Sequence, residues 1–371
     1  NIFRLSVTLK EKVDENILLD ALKMTIERFP VYKVRLMKGA FWYYLDDNHA
    51  KIKVYPMDAL SFKKITDKSC GGYCFRVSYF DTQIACDFFH AICDATGAAE
   101  FVKSLVYTYL NLSGKEVYSD QKVLTVGSPV MREELEDSFL ANYKKLPLKD
   151  LKVKDMQGKN AYHIKGILFD NVGNGIIHMY CDVKEVLDIC HAKGCTMTEY
   201  LGALFMMAIY ESQIKGKEEN ANNIQLFVPI NLRKIFGSKT LRNFSLFSRI
   251  GCNPREDMEM DKLIKIMHDN LKRDMDKDVL KDKISTTVWA EKFFLVRFVP
   301  LFLKRFFFNF SNYFFGKTKK TATLSNFGVL DIPDSMKQYV ESVSFAISSN
   351  ATTPLSLSII SCNGKLCITF T

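Results

Sequence analysis

The sequence has no Cys-x-x-Cys pair, no arginine-rich run and no long apolar stretch free of charge, and each absence removes a class of protein. Its ten cysteines are scattered, so neither a disulfide framework nor a zinc site is expected, and a reducing compartment is favoured. The chain starts at Asn1 without a charged-then-apolar leader, which sets the expectation of no signal peptide and a cytoplasmic setting. A net charge of +9 invites a nucleic-acid reading, but the basic residues are spread among 42 acidic ones with no recognisable binding module. A solvated surface is the better account, and no nucleic-acid partner is expected. The most apolar stretch, Phe293 to Phe315, is interrupted by Arg297, Pro300, Lys304 and Arg305. A transmembrane helix needs about 20 consecutive mainly apolar residues, so two short helices meeting at Pro300 are expected instead. Core packing is the preferred use of this stretch, and contact with a membrane surface is the second.

What is present fits a globular protein of two ordinary domains: 371 residues, 47% of them hydrophobic. The chain turns on Asp87-Phe-Phe-His90-Ala-Ile-Cys-Asp94-Ala-Thr-Gly97. Before it, Phe75 to Phe80 and Gln83 to Phe89 are β-branched and aromatic runs joined at Asp81-Thr82, which reads as a hairpin. After it, Ala98, Phe101, Val102, Leu105, Val106, Tyr109 and Leu110 recur at helical spacing. His90 is thus placed where a strand ends and a loop begins, a common station for catalytic side chains. By itself a His with an Asp four residues on is weak ground for catalysis, because a strand-end His is more often a satisfied structural residue.

The whole run Phe89-His90-Ala-Ile-Cys-Asp94-Ala-Thr-Gly97, with its helix, resembles the His-His-x-x-x-Asp-Gly signature of the CoA-dependent acyltransferase superfamily. That superfamily includes chloramphenicol acetyltransferase, the plant His-x-x-x-Asp acyltransferases, wax ester synthases and condensation domains. Phe89 stands where the first His would be, as in the plant members, and Ala95 where Gly is usual, with Gly97 two residues later.

Three further elements extend the resemblance in the same order along the chain. Strand Ile2 to Leu9, helix Glu15 to Arg28 and Arg28-Phe29-Pro30-Val31-Tyr32-Lys33-Val34-Arg35 resemble the opening of condensation domains. Strands follow at Tyr32 to Met37 and Phe41 to Leu45. Residues 114 to 160 are polar and charged, the best candidate for a crossover, and divide the chain into halves 1–150 and 151–371. Ala161 to Phe169 and Ile176 to Cys181 read as a hairpin, then helices Lys184 to Ala192 and Thr198 to Ser212, the second with a cap at Thr196-Met-Thr198-Glu199. Phe227-Val-Pro229-Ile-Asn231-Leu-Arg233 with Leu241-Arg242-Asn243-Phe244 resembles the Pro-Val-x-x-Arg … Gly-Asn element of wax ester synthases, with Arg242 where Gly is common. Asp257 to Lys283 reads as one long charged amphipathic helix. Ser325-Asn326-Phe327-Gly328 resembles the Ser-Asn-Leu-Gly segment of small acyltransferases and precedes strands at Val343 to Ser348, Leu355 to Ser361 and Leu366 to Phe370. The likeness is nearest to bacterial alcohol acetyltransferase-like proteins.

The resemblance implies an α/β (α+β) fold of two related chloramphenicol-acetyltransferase-like halves, each a mixed sheet with helices, and an active-site tunnel between them. It implies transfer of an acyl group from an acyl-CoA co-substrate, not permanently bound, to a small alcohol or amine, with His90 as general base and no metal. Asp94 is expected to pair with an arginine and hold the His loop rather than carry protons; Arg35 is the chosen partner and Arg28 the alternative. Asn326, Ser325 and Asn243 are the candidates for oxyanion contact, although Asn and Ser beside Gly are also ordinary turn residues. Cys93 offers a rival nucleophile, set against the ordinary use of a buried cysteine as a small apolar residue. The non-enzymatic alternative is a condensation-like module that binds phosphopantetheine thioesters on an acyl-carrier protein. A monomer or weak dimer is expected.

Overall fold

The computed structural model describes residues 2–58, 62, 65, 70–147, 151, 160–166, 173–256, 258–293, 298–304, 319–350 and 352–371. In the first lobe, β1 (Ile2–Leu9) leads to α1 (Glu15–Arg28), which begins because the Asp14 side chain accepts from the Asn16 and Ile17 amides and stops just before Pro30. The helix buries Leu18, Ala21, Leu22 and Ile26, one face at the helical repeat. A small hairpin, β2 (Val34–Lys38) with β3 (Tyr43–Asp47), stands as its own two-stranded sheet. Then come β4 (Val54–Pro56), the hairpin β5 (Phe75–Phe80) and β6 (Gln83–Phe89), and α2 (Ala95–Leu112). Rings of Phe3, Phe29, Tyr32, Phe75, Phe88 and Phe101 meet between this sheet and the two helices.

The polar crossover is not a free linker. It forms two single-turn helices, α3 (Arg132–Leu135) and α4 (Ser138–Ala141). Glu134 in α3 forms a buried two-pronged pair with Arg28, at 2.7 and 2.9 Å, and its carbonyl accepts from the Leu241 amide. The crossover thereby touches both lobes.

The second lobe runs β7 (Ile177–Asp182), α5 (Val183–Ala192), α6 (Met197–Ile209), β8 (Ile224–Asn231), α7 (Arg233–Phe236) and β9 (Ser245–Cys252). The chain continues through α8 (Met260–Asp274), α9 (Lys277–Lys292) and β10 (Ala322–Val329), crosses to the first sheet as β11 (Val340–Ile347), and returns as β12 (Ser356–Cys362) and β13 (Lys365–Phe370). Thr196 and Glu199 close a reciprocal capping box on α6, as their spacing predicts. Leu226, Ile250, Leu324 and Ile359 on the sheet pack against Met206 of α6 and Met267 of α8.

Both sheets are mixed. The first has the order β11-β1-β6-β5-β4 and the second β7-β13-β12-β10-β8-β9. Strand β11 leaves the C-terminal half to pair antiparallel with β1, from Phe3 against Ile347 to Leu9 against Val340. The two sheets therefore do not separate at one position in the chain, and the boundary at 150 marks only the crossover.

Three readings from local pattern need correction. No hairpin joins 161–166 to β7: Ala161 bridges Asn223, and β7 pairs with β13, while 167–172 lie outside the described residues. The long charged helix is two helices, because the Asp276 side chain accepts from the Asp278 and Val279 amides and starts a new one. Of the aromatic stretch, 293 and 298–304 are described; Leu301 is buried, but Phe298 and Phe302 point to solvent at 74% and 70% exposure, so core packing does not hold for them. No described helix is long and apolar enough to cross a membrane.

Candidate active site

His90 follows directly on β6, whose register against β1 is held by a two-pronged pair between Arg4 and Asp87, at 2.7 and 2.8 Å. The imidazole lies edge-on to Phe3 with ring centroids 5.1 Å apart. Burial pushes its pKa below the ordinary histidine value, while a bond to its own backbone carbonyl and the charge of Asp94 act the other way. A neutral imidazole with one ring N–H on its own carbonyl presents its other nitrogen as an acceptor.

Four residues on, Asp94 performs two tasks with one carboxylate. One oxygen accepts from the Gly97 amide at 3.1 Å and so caps α2. The other accepts from Arg233 Nη1 at 2.7 Å and from the Phe244 amide at 2.9 Å. Both donors belong to the second lobe. Arg233 is itself fixed: Nε donates to the Thr240 carbonyl and Nη2 to that of Arg242, at 2.8 and 2.7 Å. The segment from β8 to β9 thus forms a clamp on the His90 loop. Asn231 adds a bond to Thr96 Oγ1, and Asn243 Nδ2 donates to the His90 carbonyl at 3.4 Å.

Gly97 allows this approach. A Cβ at that position would lie 2.0 Å from the Leu241 carbonyl oxygen, deep inside any contact distance. The substitutions at Ala95 and Arg242 carry no such demand, because neither residue adopts a left-handed φ. Glycine is needed where the backbones meet.

The expected arginine partner of Asp94 is corrected by this geometry. Arg35 pairs with Asp46 across the β2–β3 hairpin at 2.8 Å, in solvent, because its strand belongs to the small separate sheet. The alternative, Arg28, is engaged with Glu134. The partner is Arg233, the last residue of the Pro229-to-Arg233 element. Its place just after a strand of the second half marks it as a residue at a strand end, and only the meeting of the lobes brings it to Asp94.

The remaining candidates separate. Asn243 reaches the His90 loop, with its Oδ1 accepting from Ser245. Asn326 on β10 donates to Thr198 Oγ1 and accepts from the Gly328 amide, each at 2.9 Å. Ser325 beside it is buried. Cys93 is fully buried, and burial pushes its thiol pKa well above the ordinary value, which disfavours a nucleophilic thiolate. Among the described residues no cluster of His, Cys, Asp and Glu could hold a metal ion. A cavity of about 280 Å³ opens between the lobes, lined by Thr96, Gly97, Glu100, Arg233, Lys239 and Leu241; His90 is not among its lining residues.

A family model for alcohol acetyltransferases matches residues 85–368, which span the His90 loop, the clamp and β10. No curated protein sequence matches the chain. Among solved structures, the chain is similar over its whole length to the trichothecene 15-O-acetyltransferase TRI3 from Fusarium sporotrichioides, with TM-score 0.61, 10% identity and 85% of that chain covered. It is also similar to the starter condensation domain of rhizomide synthetase solved with C8-CoA and Leu-SNAC (TM-score 0.57, 11% identity, 100% of this chain and 82% of that one). The first condensation domain of the CDA synthetase matches at TM-score 0.57 and 13% identity, over 100% of this chain and 84% of that one. At such identities these likenesses concern the fold.

Proposed function

The chain belongs to the alcohol acetyltransferase family, and from that premise we propose that it moves an acyl group from a CoA thioester to the hydroxyl of a small alcohol, with His90 as general base. The observation that carries this reading is a half-buried imidazole of lowered pKa at a strand end, held by a clamp from the other lobe. The free ring nitrogen takes the hydroxyl proton as the alcohol oxygen attacks the thioester carbon. The tetrahedral intermediate then expels the thiolate, which receives that proton from the imidazolium. No covalent acyl-enzyme is required, in keeping with the sealed Cys93. Asp94 and Arg233 hold the loop and take no part in proton transfer. An acyl-CoA co-substrate is further supported by the similar rhizomide synthetase domain, solved with C8-CoA.

The oxyanion contact is assigned to Asn326, whose amide is held in one orientation by Thr198 and Gly328. A fixed donor of this kind is worth about 10²- to 10³-fold in kcat. Asn326→Ala should show such a loss in single-turnover kinetics; a change within a few-fold removes the assignment.

Thiol release from acetyl-CoA and longer acyl-CoAs with a panel of alcohols tests the whole reading. Turnover with CoA thioesters that is abolished in His90→Ala supports it. Turnover unaffected by His90→Ala overturns the general base. Calorimetric binding of a phosphopantetheine-loaded carrier protein, with no CoA binding and no turnover, would instead support the carrier-dependent module.

A further inference from the structure

Strand register explains why the His90 ring lies where it does. In β1, Phe3, Leu5, Val7 and Leu9 face the core, while Arg4 points the other way to its pair with Asp87. Phe3 stands opposite Phe88 of β6. His90 follows two residues after Phe88, just past the end of the strand, and comes to lie against Phe3 as its diagonal cross-strand neighbour, a separation that two rings can span. The rings meet edge-on, with 68° between their planes. Phe3 has no room to move: it is 1% exposed, stacked on Phe88 at 5.6 Å and edge-on to Phe345 of β11 at 6.2 Å. Its strand end is tied to the end of β11 as well, since the Ile2 amide donates to Ser348 Oγ and the Ser348 amide to the Ile2 carbonyl.

The clamp from the second lobe reaches the backbone of the loop, with Asn243 Nδ2 donating to the His90 carbonyl. Contact with the ring itself comes from Phe3 of the first lobe. We propose that Phe3 is a positioning residue for His90: its immobile ring holds the imidazole at one tilt and covers one side of it from water. Phe3 acts through His90 and not on substrate. Burial is the largest influence on the imidazole and pushes it toward the neutral form, and Asp94 is the one charged side chain among the described residues that acts on it. Thinning the cover at Phe3 therefore admits water and moves the titration of His90 up toward its ordinary value. The inference rests on the reading of His90 as the base, but that titration is measured without substrate.

The chain has six histidines, and in NMR titration of the full chain the signal lost in His90→Ala identifies that of His90. Phe3→Leu removes the ring and keeps an apolar side chain. The expected result is a titration midpoint for His90 higher by about half a pH unit or more, with the acid limb of kcat/KM moving up alongside it. A fall in kcat of about tenfold, at little change in KM, should accompany it. Phe75→Leu is the control: Phe75 is buried too, and it stacks on Phe88 from β5, on the side away from Phe3. That variant should lose stability in chemical denaturation without moving the His90 titration. If circular dichroism shows that Phe3→Leu does not fold, Phe3→Met, closer in volume, takes its place. A His90 titration unmoved in the folded variant overturns the proposal, as does an equal movement in Phe75→Leu, which would mark a general loosening of the core. A titration moved by Phe3→Leu alone, in a protein that turns over no thioester, would uphold the role of Phe3 toward the imidazole and remove the transferase reading instead.

Discussion

The loop from His90 to Gly97 and the hairpin from Val34 to Asp47 each carry an aspartate paired with an arginine, at nearly equal distances of 2.7 and 2.8 Å. Their settings differ. The side chains of Arg233 and Asp94 are 10% and 7% exposed, and the carboxylate takes three donors from two lobes. Those of Arg35 and Asp46 are 46% and 42% exposed and join two neighbouring strands. Distance alone does not tell what an ion pair is worth. Water screens the second pair, whereas removing one partner of the first leaves a charge in a place that water barely reaches. The buried pair also ties the His90 loop of one lobe to the β8–β9 segment of the other, so it can position a reactive group where the exposed one cannot.

The contrast is tested most severely at the group the buried pair holds. His90→Ala should lower kcat by about 10²- to 10⁴-fold, with the melting temperature close to that of the unsubstituted protein. The pH profile adds a second reading. Burial lowers the folded-state pKa of His90 below its unfolded value of about 6.5, so the base is free and neutral through the physiological range. Accordingly, kcat/KM should stay level above pH of about 6.5 and fall on the acid side with a midpoint below it. Stability has the same sign: the contribution of this depressed group is whole above the unfolded pKa and is lost as pH falls through the folded one. An acid limb centred at or above the ordinary histidine value counts against the buried neutral base.

Next in size come the two ends of the clamp. Asp94→Asn and Arg233→Met should each cost about 3 to 5 kcal/mol of stability, with activity falling alongside, because each strands a buried partner. Chemical denaturation measures the stability loss. An Asp94→Asn protein that is inactive but as stable as the unsubstituted chain would mean that Asp94 acts on substrate directly. Gly97→Ala should follow at about 1 to 3 kcal/mol, since its Cβ would drive the start of α2 away from the Leu241 carbonyl. If that variant keeps both rate and stability, the backbone contact is not what holds the lobes in register. The smallest effect belongs to the hairpin. Arg35→Ala should leave the thermal transition and the rate unchanged within error, and a loss comparable with that of Arg233→Met would collapse the comparison.

How much of this was legible in the residues can be seen element by element. Strands β1, β5 and β6 and helix α1 lie where alternation and helical spacing placed them, and the caps at Asp14 and Thr196 follow from side chains within three residues of the amides they serve. The break between α8 and α9 was equally local, at Asp276, but was hidden by a charged face that continues across it. Nothing local could choose among Arg28, Arg35 and Arg233 as the partner of Asp94. The three are chemically alike, and the nearer two in sequence are taken by Glu134 and Asp46.

Sequence by itself determined the short-range features of this protein: the strand that ends at His90, the four-residue step to Asp94, and the helix that begins there. Each depends on hydrogen bonds and apolar spacing within a turn or two of chain, which any stretch carries with it. Only the tertiary structure decided that Arg233, 139 residues away, holds Asp94, that β11 returns to the first sheet, and that Gly97 rather than residue 95 is the glycine the contact requires. Those outcomes depend on which surfaces meet when the lobes close, and the free energy of burying a charge or a backbone contact exists only once they have met.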